Sequence, residues 1–337
     1  MIAEHYNFPS ATDDTFSTFP PEEYKKQWPQ YVLKLQDVLL GPYGTIYDEK
    51  RKLIAGANYN YSFWNDGVPS PASPLDAQQE KYLKAPSLPQ KVVDLPGDIN
   101  YIYAHHYFNI YVYGHLHDTL QDLSKIEQLG LSGCKLITSP FTAHVNNLDK
   151  HFALFGYDIN SCHQLDLNPK AACMYKVPTL YYPSPTAYPS NISRQGYSFL
   201  KSKYAPLKIP YSNKSDKLYL TRPGAHRKVK NETEVVAFLK DRGFFILKGD
   251  EPLEQHITLF RNAKTIIGAH GALFKNLIFC EDNPVIVEFN PSSLNNPCYA
   301  EGLALSAGLT NYNYILSESD EQHNSTIDID KLKRILD

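Results

Sequence analysis

The sequence predicts an α/β protein with two domains, the second of which is a parallel sheet with helices on both faces. Two observations carry this prediction. After residue 217, short apolar runs alternate with segments of helical periodicity, a pattern typical of parallel sheets. One such run ends in Gly268-Ala269-His270-Gly271-Ala272, continues through the apolar residues 273–279 and, after a turn, is followed by another run at 285–289. We interpret this stretch as strand, glycine turn, helix and strand, which is one βαβ unit.

The first domain is predicted to span residues 1–185. Its first 90 residues are rich in Pro, Tyr and Asn and show weak periodicity, so no element is assigned to them. Later segments alternate between the period of a strand and the period of a helix. The predicted elements are strands at 92–95, 101–103, 109–113, 135–138 and 177–182, and helices at 116–126 and 144–155.

The second domain is predicted to span residues 217–320. A linker with a crossing helix at 186–216 precedes it, and a tail with a last short helix at 321–337 follows it. Asn231 is predicted to cap the first helix of this domain, because Glu234 follows at the spacing of a capping box. The predicted elements are strands at 218–221, 244–247, 265–267, 285–289 and 312–316, and helices at 231–242, 252–262, 273–279, 298–307 and 328–336.

Charge and cysteine content narrow the class of function. The formal net charge is −3, which provides no long-range attraction for nucleic acid. The five cysteines include no CxxC pair, so neither a zinc ribbon nor thioredoxin-like chemistry is indicated. The N-terminus lacks a basic segment followed by an apolar one, and no apolar run reaches the roughly 20 residues that span a bilayer. We therefore expect a cytoplasmic protein that does not bind nucleic acid.

The carboxyl ends of the strands in the second domain carry residues that suit a nucleotide. Ligands of parallel sheets bind at these ends, where the sequence places Arg222, the turn at 268–271 and Glu288. The two glycines of the turn allow close approach of the backbone to a ligand, and the helix that follows points unpaired N–H groups at an anion such as a diphosphate. The sequence therefore predicts a nucleotide site. The simpler alternatives are arginines on the surface and a histidine satisfied by local backbone.

An ordered set of residues in the second domain is similar to the sequence pattern of glycosyltransferase family 61. The similarity is dense over residues 218–291 and much more specific than the His-Gly turn alone. The matching residues are 218–222 (LYLTR), Arg227, Asn231, Glu232, 242–244, Gln255, Ala263, 268–272 (GAHGA), Asn276, Phe279 and Glu288.

This resemblance implies a GT-B architecture, in which two Rossmann-like domains face each other across a cleft. It also implies a nucleotide sugar as donor, inversion of the anomeric carbon, and chemistry without a metal or another cofactor. Members of the family act on xylan, on proteins and in the synthesis of bacterial capsule and lipopolysaccharide. We therefore expect a glycan or a lipid-linked glycan as acceptor, an acceptor class that allows peripheral association with the inner membrane face.

A looser resemblance lies in the first domain at residues 113–120, YGHLHDTL. Family members have a His-rich segment that ends in an acidic residue at the start of a helix, which points to Asp118 as the general base. Aspartate is ionised at neutral pH, as a base must be. Because Gly114 stands where many members have histidine, His117 and His115 stay as alternatives. An acidic residue that offsets the helix dipole is the simpler explanation of Asp118.

The resemblance and the predicted sheet together define a donor site. Arg222 and Arg227 would neutralise the departing diphosphate. His270 would donate a hydrogen bond to a phosphate or to the sugar, and Glu288 would accept hydrogen bonds from ribose hydroxyls. The complete predicted set is Arg222, Arg227, Gly268, His270, Gly271, Ala272, Asn276 and Glu288.

Three other functions are weighed against glycosyl transfer. A zinc site is disfavoured, because His105 and His106 are adjacent and would point to opposite sides of a strand, and no cysteine joins them. A nucleotide-linked oxidoreductase would need a GxGxxG turn after a strand, which the sequence lacks. A non-catalytic carbohydrate-binding protein would use the 25 tyrosines as sugar platforms.

Overall fold

The chain has two compact units in the computed structural model, with Met1–Thr12 and Gln27–Ser190 in the first and Asn191–Asp337 in the second. Each unit has its own sheet with parallel strands, so the predicted α/β class is confirmed. Among the described residues, no helix combines the length and the apolar character needed to cross a membrane. The structure describes residues 2–11, 28–52, 54, 88–104, 113–138, 147–167, 171–184, 194–207, 215–222, 226–294 and 299–337.

Eight strands form the sheet of the first unit: β1 (Ile2–Ala11), β2 (Trp28–Leu40), β3 (Ile46–Tyr47), β4 (Val92–Asp94), β5 (Tyr101–Tyr103), β6 (Lys135–Thr138), β7 (His163–Gln164) and β8 (Met174–Pro183). Their order is β1-β2-β8-β5-β6-β7, with β3 beside β2 and β4 beside β8. Strands β4 to β8 pair in parallel. Strand β2 pairs antiparallel with β1, β3 and β8, and these additional strands come from the segment where the sequence predicted no element.

Two helices of the first unit follow β5 and β6, namely α1 (Tyr113–Gln128) and α2 (Leu148–Leu154). The apolar residues that predicted α1 are all buried, which confirms that helix: Leu116, Leu120, Leu123 and Ile126. The strand predicted at 109–113 lies outside the described residues up to 112. At Tyr113 the prediction is wrong, because the helix already begins at this residue.

The second unit contains five parallel strands: β9 (Lys217–Leu220), β10 (Phe245–Leu247), β11 (Thr265–Ala269), β12 (Val285–Pro291) and β13 (Tyr312–Ser317). Their order, β10-β9-β11-β12-β13, is that of a doubly wound fold. Every strand and helix predicted in this region is present. The helices are α3 (Arg194–Tyr204), α4 (Glu232–Lys240), α5 (Leu253–Asn262), a 3-10 helix (Ala272–Phe279), α6 (Tyr299–Ser306) and α7 (Ile329–Leu336).

Side chains alternate between the two faces of this sheet, as strand geometry requires. On one face, Tyr219, Ile267 and Phe289 form a core with α4 and α7. The opposite face carries Glu288, which accepts a hydrogen bond from the first turn of α6. The polar residue on that face is therefore enclosed between the sheet and a helix, which is unusual for a carboxylate and requires hydrogen-bond partners.

Two local predictions need correction. The segment after Gly271 is a 3-10 helix, not an α-helix, and it is buried from Phe274 to Phe279. It lacks the polar face that an amphipathic surface helix would have. Asn231 does occupy the N-cap position of α4, but its side chain makes no capping hydrogen bond. Its amide instead accepts from the backbone N–H of Ile327 at 2.9 Å and donates to the carbonyl of that residue at 2.9 Å.

Candidate functional site

The strand order of the second unit determines where a ligand binds. After β9 the chain continues to β10 on one side, and it then crosses to β11 on the other side of β9. Ligands of doubly wound sheets bind at the carboxyl ends of the two strands where the order reverses. Arg222 follows β9, and His270 and Gly271 follow β11. The predicted turn and the predicted arginine therefore meet at the expected position.

Arg222 lies directly against the glycine turn. Its Nη1 donates to the carbonyl oxygen of His270 at 3.2 Å, and its Nε donates to the carbonyl oxygen of His226 at 3.1 Å. A Cβ atom added to Gly271 would lie 2.1 Å from Nη1 of Arg222. The backbone at Gly271 is extended and open to any residue, so a larger residue here would act only by displacing the guanidinium from the turn. The turn and the guanidinium thus form one positively charged surface.

Gly268 has a different role from Gly271. A Cβ atom at Gly268 would lie 2.6 Å from Cβ of Leu220 on the neighbouring strand β9. Glycine therefore permits close packing within the sheet at this position. Its contribution to a ligand site is indirect, since it allows the strands that carry Arg222 and His270 to lie side by side.

His270 is held by a buried carboxylate. Its Nδ1 lies 2.7 Å from Oε1 of Glu288, and both residues are buried. The other oxygen, Oε2, accepts from the hydroxyl of Tyr312 at 2.6 Å and from the backbone N–H of Ala300 at 3.2 Å. Three groups from three elements thus fix the carboxylate, and the carboxylate fixes the imidazole ring. A contact between Glu288 and a ribose would require one of these hydrogen bonds to be exchanged.

The remaining predicted donor residues lie around this network. Ala272 begins the 3-10 helix and Asn276 lies within it, where the asparagine is fully buried. Arg227 has a left-handed backbone with φ of 62°, and its N–H donates to the carbonyl of Gln322 at 3.1 Å. The backbone of Arg227 is therefore anchored to the segment before α7, on the far side of the sheet core from Glu288.

Sequence reasoning missed a carboxylate at the end of β10. Glu251 accepts hydrogen bonds from the backbone N–H groups of Lys248 at 2.9 Å and Gly249 at 2.7 Å, and it lies 3.3 Å from Nε2 of His256. Burial raises the pKa of this carboxyl, but the His256 ring and the backbone N–H groups outweigh burial and lower the pKa to about 2. Glu251 thus binds the backbone of a glycine turn as an anion would. The signal in the sequence is the Gly249 turn followed by an acidic residue.

Sequence comparison identifies the family. The family profile described as Glycosyltransferase 61 matches residues 113–287, just over half of the chain. The chain belongs to glycosyltransferase family 61. It is therefore a glycosyltransferase, and the matched range includes both α1 and the Arg222–Gly271 surface. A search among curated proteins finds no match.

Solved structures similar to this family 61 member share little of its sequence. Escherichia coli heptosyltransferase WaaC with ADP is 10% identical, with 70% of this chain and 98% of that chain covered and a TM-score of 0.35. The dodecameric iron-containing heptosyltransferase TibC with ADP-D-beta-D-heptose is 13% identical, with 62% and 61% covered and a TM-score of 0.31. TibC from enterotoxigenic Escherichia coli H10407 is 14% identical, with 59% of each chain covered and a TM-score of 0.28. At TM-scores this low, no residue of these proteins is equated with one in this chain.

The candidate base of this family 61 member lies in the first turns of α1. His117 is fully buried, and its ring packs edge to face against that of His151 with the centroids 5.7 Å apart. The side chains of Asp118 and His115 lie outside the described residues, as do His105 and His106. Since a general base must contact the acceptor hydroxyl, His117 would have to become exposed to serve as the base.

Proposed function

We propose that this glycosyltransferase is an inverting enzyme that moves a sugar from a nucleoside diphosphate sugar to a hydroxyl of a glycan or lipid-linked glycan. An acceptor of the capsular polysaccharide or lipopolysaccharide type places the reaction in the cytoplasm or at the inner face of a membrane. The observation that carries the proposal is the contact of the Arg222 guanidinium with the Gly271 turn, at the point where the strand order reverses.

The Arg222–Gly271 surface suits a leaving group better than it suits a neutral ligand. A guanidinium binds phosphate oxygens, and the first backbone N–H groups of the following helix add donors with no side chain in the way. Negative charge develops on the diphosphate as the glycosidic bond breaks. Donors that are already in place stabilise this charge without reorganisation, which is how such sites lower a barrier.

Glu288 supports this surface by orienting His270. Because Nδ1 of the imidazole faces the carboxylate, we propose Nε2 as the atom that contacts a substrate. Carboxylates commonly orient functional imidazoles in this manner, for example in catalytic triads. We assign Glu288 as a positioning residue for His270, and His270 as the group that contacts the phosphate or the sugar.

The transfer itself is a single displacement. The acceptor hydroxyl attacks the anomeric carbon, its proton passes to Asp118, and the bond between the anomeric carbon and the phosphate oxygen breaks. The electron pair of that bond leaves with the nucleoside diphosphate. Arg222 and the Gly271 turn stabilise the negative charge that this leaving group gains. We propose that this chemistry needs no metal ion or other cofactor, as the family resemblance implies.

A thermal-shift panel tests the donor site. The wild-type protein and the Arg222→Ala variant are titrated with ADP, UDP, GDP and CDP and with matching nucleotide sugars, each with and without EDTA. We expect one nucleotide to raise the Tm of the wild type equally in both buffers, and Arg222→Ala to lose at least about tenfold in affinity, since a charge-assisted pair contributes more than one neutral hydrogen bond. The matched control is Arg334→Ala, an exposed arginine on α7, whose affinity should equal that of the wild type.

Each alternative function has its own outcome in this panel. Stabilisation by a glycan and by no nucleotide would identify a carbohydrate-binding protein, and stabilisation by NADH would identify an oxidoreductase. Stabilisation that EDTA abolishes would contradict the proposal of metal-independent binding. Equal nucleotide affinities of Arg222→Ala and Arg334→Ala would show that the diphosphate does not bind at the Gly271 turn.

A further inference from the structure

Asn290 is the feature of the second unit that the fold does not explain. It lies near the carboxyl end of β12, two residues after Glu288 and on the same face of the sheet. Its side chain is fully buried, yet neither Nδ2 nor Oδ1 has a hydrogen-bond partner in the described structure. Buried amides are almost always paired, so an amide with both groups unpaired costs stability.

Asn324 shows what a structural asparagine in the same unit looks like. It is also buried, and its Oδ1 accepts from the N–H of Lys228 at 2.9 Å. Its Nδ2 has Asp320 and Gln322 as partners at 3.3 Å each. The fold uses every polar atom of Asn324 and none of Asn290. A residue that the fold does not use, and that lowers stability, is typical of a binding site.

The surroundings of Asn290 connect it to the donor site. The backbone N–H of His270 donates to the carbonyl of Phe289, the residue before Asn290. On the other side, Asn290 pairs with Leu316 of the edge strand β13, and Leu316 and Tyr314 are 54% and 52% exposed. Asn290 therefore lies between the His270 turn and an exposed apolar edge, one strand away from the surface.

We propose that Asn290 binds hydroxyl groups of the nucleotide-sugar donor, an inference that rests on the function proposed above. An amide offers one donor and one acceptor side by side, and a pair of sugar hydroxyls can both donate and accept. Diphosphate oxygens only accept, so they would leave Oδ1 unpaired. The ribose and the transferred sugar both carry such hydroxyls. The donor reaches the amide by displacing the side chains that cover it in this structure.

The test compares Asn290→Leu with Asn324→Leu. Leucine has the same number and branching of heavy atoms as asparagine, so Asn290→Leu removes the unpaired groups without a cavity, and we expect its Tm to equal or exceed that of the wild type. Its affinity for the nucleotide that stabilises the wild type should fall about tenfold or more, because two hydrogen bonds are lost. Asn324→Leu should show the reverse, with a lower Tm and an unchanged affinity. Asn290→Ala provides the same comparison with a side chain that cannot overpack.

Two arms identify the source of the hydroxyls. If Asn290→Leu weakens the nucleoside diphosphate and its sugar conjugate equally, the ribose is bound. If only the sugar conjugate weakens, the transferred sugar is bound. If Asn290→Leu and Asn290→Ala bind both ligands as tightly as the wild type does, the inference is wrong. Binding of these ligands by the wild type would still support the proposed function. Failure of the wild type to bind any nucleotide or nucleotide sugar overturns both.

Discussion

The two sets of candidate residues, one half in each unit, differ in how strongly the fold determines them. In the second unit, parallel strands end at one edge of the sheet, so Arg222 meets the His270-Gly271 turn although 48 residues separate Arg222 from His270. In the first unit, the candidates are neighbours on one helix, and the described side chains from Leu116 to Ile126 are all buried. Topology collects the candidate groups in the first case, whereas in the second case their adjacency in the sequence does.

The largest expected effect tests the half that the structure determines least. Asp118→Asn removes the proposed base and keeps its size, so kcat should fall about 10²–10⁴-fold, the range of general-base catalysis. The affinity for the donor nucleotide should stay unchanged, because the proposed nucleotide site lies in the second unit. Steady-state kinetics and calorimetric titration with the nucleotide check the two expectations separately.

The histidines beside Asp118 provide the controls for this comparison. His117→Gln should lower the Tm, because His117 is buried against His151, and it should reduce kcat less than Asp118→Asn. A normal kcat in Asp118→Asn together with a large loss in His117→Gln or His115→Gln would transfer the role of the base to that histidine.

The second expectation tests the better determined half. Glu288→Gln replaces one acceptor oxygen with an N–H donor, although Tyr312, Ala300 and His270 all present donors to this position. At least one hydrogen bond is therefore lost, and the ring of His270 is released. Donor affinity should fall about tenfold, as expected when a buried charge-assisted pair is broken.

Tyr312→Phe is the matched control, because it removes a single hydrogen bond to Glu288 and leaves the carboxylate facing His270. It should weaken donor binding by less than Glu288→Gln does. Long-range ¹H–¹⁵N spectra of His270 should change in Glu288→Gln and not in Tyr312→Phe. Identical spectra and equal donor affinities in both variants would show that Glu288 has no positioning role.

The last expectation concerns stability, not binding or catalysis, and it tests Glu251. In the folded protein the pKa of Glu251 is lowered to about 2 from a reference value of 4.5. Burial alone would raise this pKa, but the His256 ring and the backbone N–H groups outweigh burial. A lowered folded pKa stabilises the protein above pH 4.5, and this contribution disappears as the pH falls from 4.5 to about 2. Glu251→Gln should lower the free energy of unfolding by up to about 3 kcal/mol at pH 7. Urea unfolding of both proteins from pH 7 to pH 3 should show this difference shrink, and a constant difference would assign it to packing.

Prediction from sequence succeeded in segments whose apolar residues follow a single periodicity, either that of a strand or that of a helix. The strands and helices from residue 217 onward are present because apolar runs and helical segments alternate there with short turns between them. It failed for β2, whose buried residues Val32, Leu33 and Leu35 interrupt the strict alternation of a one-sided strand. A central strand that pairs with β1, β3 and β8 is stabilised by neighbours distant in sequence, which no local pattern records.

The sequence by itself determined the family, the order of elements in the second unit, and the turn and the arginine that suit a diphosphate. These features depend on local spacing and on residue type, which are visible in the chain. Only the tertiary structure decided that the Arg222 guanidinium packs against Gly271, that Glu288 binds His270, Tyr312 and Ala300, and that Asn290 is buried without a partner. Each of these facts is a distance between segments that lie apart in the sequence, and such distances exist only once the strands have paired.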